Sequence, residues 1–387
     1  MMIPERPALE RRVLAALDGS APGGPRIPVL LGGCGSGRTS LLLRLRDLIG
    51  RSQAQYIDVE RIATTPERFY AALREASPFA SHYGDNAADR GARDAFDGAL
   101  AFLDTARVAE DAPATFLLDE FLEVRTFESF PGLRTVLKDL VGALASSGNR
   151  FVLTTRFIAR AHRLLRDVPA QFELVHLSPL SAGEIRATIA SNGGREDDDP
   201  RRDDLARMVH ALSDGRPAYA RMIAEAATAM ATRGAADPVG ALASLMAPGG
   251  TLAAACRFCY ELRLHRARGY GALKAILDVL AREEPLTLTE IALRLRRTPG
   301  STKDYLSWLE DVDLIVSRQK RYSFADPMLR LYVRLHCRSM LPSEEEIAHE
   351  IHAYVLDHLP TSEPALALAG RTEAANGEKS WGIIEID

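Results

Sequence analysis

The sequence predicts an α/β fold in which a parallel sheet is covered by helices on both faces, and three observations carry that expectation. Short apolar runs bounded by Gly or Pro alternate with segments of helical periodicity from the N-terminus to Leu177. The first run, Pro28–Leu31, leads directly into the glycine-rich stretch Gly32-Gly-Cys-Gly-Ser-Gly37, which in turn opens a helical pattern. A later run, Ala114–Leu118, ends in two adjacent carboxylates, Asp119 and Glu120. Parallel strands need helical crossovers between them, and alternation of this kind is the result.

The elements follow in order. Pro28–Leu31 reads as a buried strand, and Thr39–Ile49 as a helix with its leucines at helical spacing. Further strands are expected at Gln55–Val59, Thr115–Leu118, Phe151–Thr154 and Phe172–His176, with helices at Pro66–Glu75 and Gly132–Ala145. Beyond Leu177 the strand signals stop. Ser181 and Glu184 stand at capping-box spacing at the head of a helical stretch. Ser191–Asp204, rich in Gly, Asp and Arg, reads as a solvated loop, Leu205–Ala231 as helix, and Gly234–Gly250 as a linker. Leu273–Ala281, Leu288–Arg296 and Thr302–Val312 then read as three helices, followed by strands Leu314–Ser317 and Tyr322–Phe324 around the basic tip Arg318-Gln-Lys-Arg321. Three helices and a two-stranded hairpin make a winged helix. A last helix is expected to end at Leu359. Thr361–Lys379 holds few bulky apolar residues and is expected to be disordered. The chain closes on Trp381, Ile383, Ile384 and Ile386, apolar residues suited to a strand that docks on its own body or on another protein's sheet edge.

Composition narrows the function classes little. With 387 residues, 47% of them apolar and 26% charged, the chain suffices for two or three globular domains. No apolar run has the length of a membrane span, and Met1–Arg12 lacks the apolar centre of a signal peptide, so a cytoplasmic protein is expected. The four cysteines are too few and too scattered for a disulfide framework; Cys256 and Cys259 are expected to be two buried thiols on one helical face. The net charge of −4 hides an asymmetry: residues 250–340 carry sixteen basic against ten acidic residues, whereas 341–387 carry two against ten. A basic module followed by an acidic tail suits contact with phosphates, with the tail able to cover the basic wing in cis.

The chemistry concentrates at the strand ends. Gly32, four residues, then Gly37-Arg38-Thr39 fits the phosphate-loop pattern G-x-x-x-x-G-K-[ST] at every fixed position except the lysine. In such a loop Gly32, Gly33, Cys34, Gly35, Ser36 and Gly37 turn backbone N–H groups onto phosphate oxygens. Arg38 supplies positive charge, and Thr39 and Ser40 open the helix. Thr39 and Asp119 are the residues placed to hold Mg²⁺, and Glu120 to orient or activate the attacking water. At the end of the next strand, Thr154 or Thr155 can bond the γ-phosphate or its water; alternation does not choose between them. Arg156 can stabilise transition-state charge. A dinucleotide-type loop is the competing reading, but Gly35-Ser-Gly37-Arg-Thr-Ser40 lacks the third glycine and leaves the carboxylate strand unexplained.

Gly32–Thr39, Leu117–Glu120, Thr154–Arg156, Leu177–Ser181 with Glu184, and Gly215–Tyr219 together resemble the AAA+ and STAND P-loop ATPases. They are most similar to archaeal-type ATPases with a C-terminal winged helix, related to the origin-recognition replication initiators. Tyr305–Glu310 through Asp326–Leu331 resembles their winged helix, and Arg6–Glu10 their N-terminal adenine-pocket box. The resemblance implies a sheet of strand order 5-1-4-3-2, a helical lid, and ATP with Mg²⁺ held between core and lid, with Arg216 and Pro217 as the lid's contact. The expected division is core 1–177, lid 178–248, winged helix 249–340, C-terminal helix 341–360, and tail 361–387. A homo-oligomer is the expected assembly. Two functions follow: an ATPase acting as a DNA-associated switch or machine, with Arg318, Lys320 and Arg321 as candidate DNA contacts, or a signalling switch whose winged helix and tail bind proteins. Arg38 departs from the family pattern. It keeps the charge, but its planar fork is bulkier than lysine, which leaves binding expected and hydrolysis slowed.

Overall fold

The computed structural model describes residues 6–20, 24–79, 91–166, 171–192, 200–231, 236–265, 269–338 and 340–359. The expected tail, 361–387, with its apolar end lies outside these residues.

Strands β1 (Ile27–Leu31), β2 (Ala54–Asp58), β3 (Thr115–Asp119), β4 (Arg150–Thr155) and β5 (Phe172–His176) form one parallel sheet in the order β2-β3-β4-β1-β5. Read from the other edge, this is the expected 5-1-4-3-2. The register pairs Leu31 with Thr155 and Asp58 with Asp119, so the carboxyl ends of four strands stand level. The glycine loop, the paired carboxylates and the Thr-Thr-Arg segment therefore emerge along one edge of the sheet, where ligands of open α/β sheets bind.

Both faces of the sheet are buried, and side-chain alternation assigns them. Leu30, Leu117, Val152 and Val175 pack against Leu41, Leu42 and Leu45 of α2 (Arg38–Ile49) and Val13 and Leu17 of α1 (Pro7–Asp18). Val29, Leu31, Phe116, Leu118, Phe151 and Leu153 face the other way. There they meet the short helix α3 (Val59–Ile62), then α4 (Pro66–Glu75), α5 (Ala92–Thr105), α6 (Val136–Ser146) and α7 (Ile158–Leu165). Helix α6 begins four residues later than periodicity suggests. Gly132 takes φ +77 in a turn, and Phe121–Ser129 before it is a 3-10 segment.

Helices α8 (Ala182–Asn192), α9 (Pro200–Ser213), α10 (Pro217–Ala229) and α11 (Pro238–Met246) follow, then α12 (Thr251–His265). The capping box at the head of α8 is present: Ser181 Oγ accepts from Glu184 N at 3.2 Å and Glu184 Oε2 from Ser181 N at 2.7 Å. Two expectations are corrected here. Pro200–Asp204, read as loop, forms the first turn of α9, because proline suits a first helical position and Asp203 complements the helix dipole. The stretch read as a linker contains α11, where Pro238 again opens a helix and Asp237 caps it by accepting from Gly240 N.

The last part comprises α13 (Tyr270–Arg282), β6 (Leu286–Thr287), α14 (Leu288–Arg294), α15 (Pro299–Asp311), β7 (Ile315–Arg318), β8 (Arg321–Phe324), α16 (Pro327–His336) and α17 (Glu344–His358). The expected two-stranded hairpin is a three-stranded antiparallel sheet, β6-β8-β7; β6 has only two residues, too few to carry alternation. No single helix among the described residues is long and apolar enough to cross a membrane. The bent pair α11 and α12 passes that test jointly, yet Leu242, Met246, Leu252, Cys256 and Leu264 are buried in the core.

Asp313, just after α15 at φ +54, joins this part to the sheet. Its carboxylate faces the backbone of Ile158 and Ala159 at the start of α7, while buried Arg263 of α12 donates to its carbonyl at 2.7 Å. Beside it Arg163 pairs with Asp311 at 2.7 Å. Burial pushes the Asp313 carboxyl up to about 6, against the opposing pull of Arg263. A carboxyl whose folded-state pKa lies above its unfolded value of 3.8 gives stability that is lost as pH rises from about 4 to about 6. Asp313→Asn keeps the size and shape of the side chain and removes the ionisation. Across that window the variant should gain on the wild type by roughly 1–2 kcal/mol in thermal unfolding. Parallel pH profiles would contradict the assignment.

Candidate functional site

The site is built where β1 gives way to α2. Gly35 and Gly37 take φ +74 and +86, backbone states that side chains rarely adopt, and a Cβ on Gly35 would stand 3.2 Å from the Tyr219 ring. Gly37 caps α2, so the loop runs straight into a helix N-terminus whose unpaired N–H groups and dipole favour an anion. Ser40 lies half-buried in the first turn.

Arg38, the residue that departs from the phosphate-loop pattern, is buried and folded back over the loop. Its Nη1 donates to the carbonyls of Gly32 and Gly33 and, at 3.2 Å, to Ser36 Oγ; its Nη2 donates to Glu120 Oε1 at 2.6 Å. Thr39 Oγ1 donates to Asp119 Oδ2 at 2.6 Å, and the Tyr56 hydroxyl to the same oxygen at 2.9 Å. Thr154 Oγ1 donates to Asp119 Oδ1 and accepts from Glu120 N at 3.1 Å. The Thr155 hydroxyl instead accepts from Phe157 N, so Thr154 is the threonine that meets the carboxylates.

Glu120 holds the centre, at φ +55. Its Oε2 accepts from Arg156 N at 3.0 Å, Oε1 lies 3.0 Å from Arg156 Nε, and Arg156 Nη2 reaches on to Glu60. Burial alone would push the Glu120 carboxyl up; the guanidinium charges of Arg38 and Arg156 outweigh it and hold the carboxyl below its ordinary range. At Glu60 the balance tips the other way, with burial prevailing over Arg156 and raising its pKa. Arg156 is only 5% exposed, which rules out a plain surface charge after a strand. Glu60 and Tyr56 escaped the sequence reading. Neither belongs to a motif, although β2 lies beside β3, and that adjacency was the available signal.

On the loop's outer side stands the start of α10. Arg216 Nη1 donates to Cys34 O at 3.1 Å and Nη2 to Ala325 O at 3.0 Å, with Asp326 at 3.4 Å. Pro217 opens α10, Ala218 N donates to Gly35 O at 3.0 Å, and the Tyr219 hydroxyl donates to Asp326 at 2.9 Å. Arg6, in the segment read as an adenine-pocket box, donates to Ser178 O at 2.8 Å, and Glu10 pairs with Arg44 at 2.6 Å.

The cysteine expectation is corrected. Cys34 of the loop is disulfide-bonded to Cys259 of α12, across a sequence separation of 225, and of the helical pair only Cys256 is a buried thiol. Periodicity places Cys256 and Cys259 on one helical face, but no local pattern announces a partner so distant in sequence. Arg318, Lys320 and Arg321 are not part of this site. They are exposed at the β7–β8 turn, where Gln319 and Lys320 take φ +51 and +63, and Arg321 donates to Pro285 O at 3.0 Å.

Chemically, the strand ends offer a loop and helix N-terminus for an anion, a cation that can turn toward it, and hard oxygen donors on Thr39 and Asp119 suited to a small divalent ion. Among the described residues no cluster of three or more His, Cys, Asp or Glu forms a metal site. An ion at Thr39 and Asp119 would complete its coordination with ligand oxygens and water.

Neither a protein-family profile nor a curated protein matches the sequence. Among solved structures, the chain is similar to a Walker-type ATPase of Pyrococcus abyssi at 19% identity and a TM-score of 0.62, over 86% of this chain and 96% of that one. The Aeropyrum pernix Orc1 protein in complex with DNA aligns at 16% identity and a TM-score of 0.45, over 92% and 95% of the two chains. A STAND protein with a tetratricopeptide repeat sensor from Pyrococcus horikoshii aligns at 15% and 0.32, over 90% of this chain and 45% of its own. Sheet order, loop position and the first of these likenesses agree: the chain has a P-loop NTPase fold like that of the Walker-type ATPase.

Proposed function

We propose that this chain binds ATP with Mg²⁺ between the glycine loop and the carboxylates of β3, and works as a nucleotide-gated switch. One observation carries the reading. Arg38, Thr39, Asp119, Glu120 and Thr154, from three separate strand ends, form one hydrogen-bonded cluster. Loop N–H groups and the α2 N-terminus would receive the phosphates. Thr39 and Asp119 would hold the ion, which supplies charge neutralisation for the phosphate oxygens. Glu120 would orient the attacking water, with Thr154 positioning it and Arg156 answering the transition-state charge. Since Glu120 already spends its carboxylate on two guanidinium groups, turnover is expected to be slow, which supports a switch more than a fast motor.

The module from α13 to β8 is read as a winged helix, with its basic turn as the DNA contact. Arg318 and Lys320 are exposed at that turn, where phosphates could reach them. A specific observation also favours the signalling reading. Asp311 and Asp313, at the end of the helix that would read DNA, are engaged by Arg163 and the start of α7. That arrangement suits a module released when nucleotide binds.

ATP with Mg²⁺ at a thousandfold excess over Kd should stabilise the fold by about 4 kcal/mol. Asp119→Asn should abolish the Mg²⁺-dependent part of that shift while leaving a weaker, metal-independent one. A scan showing no shift with any nucleotide ends the reading. Replacing Arg318, Lys320 and Arg321 together by Ala should weaken duplex binding for every sequence and flatten its salt dependence by up to about three phosphate contacts. If the protein retards no duplex even at low salt, the signalling reading takes its place.

A further inference from the structure

The loop that would cradle phosphate is gripped from outside, and one of the grips is covalent. Cys34, the third residue of the loop, is joined to Cys259 on α12, with their Cα atoms 6.6 Å apart, inside the span a disulfide bridges. Helix α12 is in turn tied to the C-terminal module: Arg263 donates to Asp313 O, and Cys256 and Tyr260 sit in its buried core. The other ties between loop and module are Arg216, which spans from Cys34 O to Ala325 O, and Tyr219, which packs on Gly35 and donates to Asp326. We infer that Cys34 and Cys259 form a redox latch that fixes α12, and with it the C-terminal module, against the phosphate loop. Its consequence for nucleotide exchange rests on the function proposed above.

The chemistry is thiol–disulfide exchange with a dithiol reductant. A thiolate of the reductant attacks Cys259 Sγ, the more exposed of the two sulfurs, since Cys259 is half-buried and Cys34 is 7% exposed. The S–S bond breaks, and Cys34 leaves as a thiolate that takes up a proton. It lies in a loop leading into a helix N-terminus, where an anionic leaving group is favoured. The reductant's second thiol then closes its own disulfide, releasing Cys259. Two electrons and two protons pass to the protein. Re-formation needs a low-molecular-weight disulfide such as oxidised glutathione, which takes both electrons back. The two remaining cysteines do not compete, because burial keeps the thiols of Cys256 and Cys337 protonated. In a reducing compartment a disulfide of this kind is regulatory rather than structural.

With the bond intact, a covalent tie joins loop and α12; with it broken, they are held by Arg216 and by the packing of Tyr219 between the loop and the core that α12 shares. The full-length protein, equilibrated with oxidised glutathione or with dithiothreitol, is digested without reduction and mapped by mass spectrometry, and its amide hydrogen exchange is followed in both states. Oxidised protein should yield a Cys34–Cys259 linked peptide. Reduction should raise exchange in the Gly32–Gly37 loop and the α12 turn around Cys259 by at least about tenfold. Cys259→Ser in oxidising buffer should match the reduced wild type. Release of a fluorescent ATP analogue should quicken to a similar degree. Absence of the linked peptide after oxidation, or equal exchange in the two states, overturns the latch. Failure of the analogue to bind in either state, with the linked peptide and the exchange difference both present, removes the nucleotide reading and leaves the latch standing.

Discussion

A carboxylate almost out of water, held between two guanidinium groups, is the constraint on which the rest of the site depends. Glu120 closes β3, Arg38 opens α2 after β1, and Arg156 follows β4, so their ion pairs tie three strand ends into one unit. Each charge has lost its hydration and stays folded inside only because the others are present. Removing Glu120 would leave buried Arg38 with no carboxylate and Arg156 with Glu60 alone, while removing either arginine would leave the carboxylate half-compensated. The left-handed backbone at Glu120 adds to this cost, and it persists because the surrounding bonds over-determine it. The arginine at position 38 therefore has a structural basis. Its fork reaches loop carbonyls with one nitrogen and Glu120 with the other, a span that a lysine's single ammonium would not cover in the same way.

From this centre the loop's shape propagates outward. Gly35 can lie against Tyr219 because it has no side chain, and Tyr219 in turn donates to Asp326 in the turn before α16. Arg216 spans the same gap. A change in loop conformation would be felt at β8 and α16 through a few side chains, which would give the proposed nucleotide-gated switch a physical route. Asp313 closes the circuit on the far side, where its carboxylate faces the start of α7, the helix that begins just after Arg156.

Legibility in the sequence followed the range of the interactions. The strands were legible because β1, β3 and β4 are buried on both faces and so read as continuous apolar runs bounded by Gly and Pro. The loop and Asp119-Glu120 were legible because the backbone geometry needed to approach a phosphate demands glycines at set spacing. Helix α11 was hidden because Pro and Gly serve both as helix starts and as linker residues, and β6 because two residues carry no period. Glu60 and Tyr56 could not be found by motif, since they reach the site only through the pairing of β2 with β3. The Cys34–Cys259 bond joins residues that no local pattern relates. Alternation along β4 did not say which of Thr154 and Thr155 meets the carboxylates, and the hydrogen bonds select Thr154.

On the function proposed above, Arg38 would stand in for the missing lysine by exchanging loop carbonyls for phosphate oxygens while Glu120 keeps hold of it. A crystal structure with a non-hydrolysable ATP analogue and Mg²⁺ tests it most directly. The account predicts phosphates seated on the Gly33–Thr39 backbone, the ion against Thr39 and Asp119, and Arg38 Nη1 turned from Gly32 and Gly33 onto a phosphate oxygen. An analogue bound elsewhere, or phosphates in the loop with Arg38 still folded on the Gly32 and Gly33 carbonyls, would contradict it.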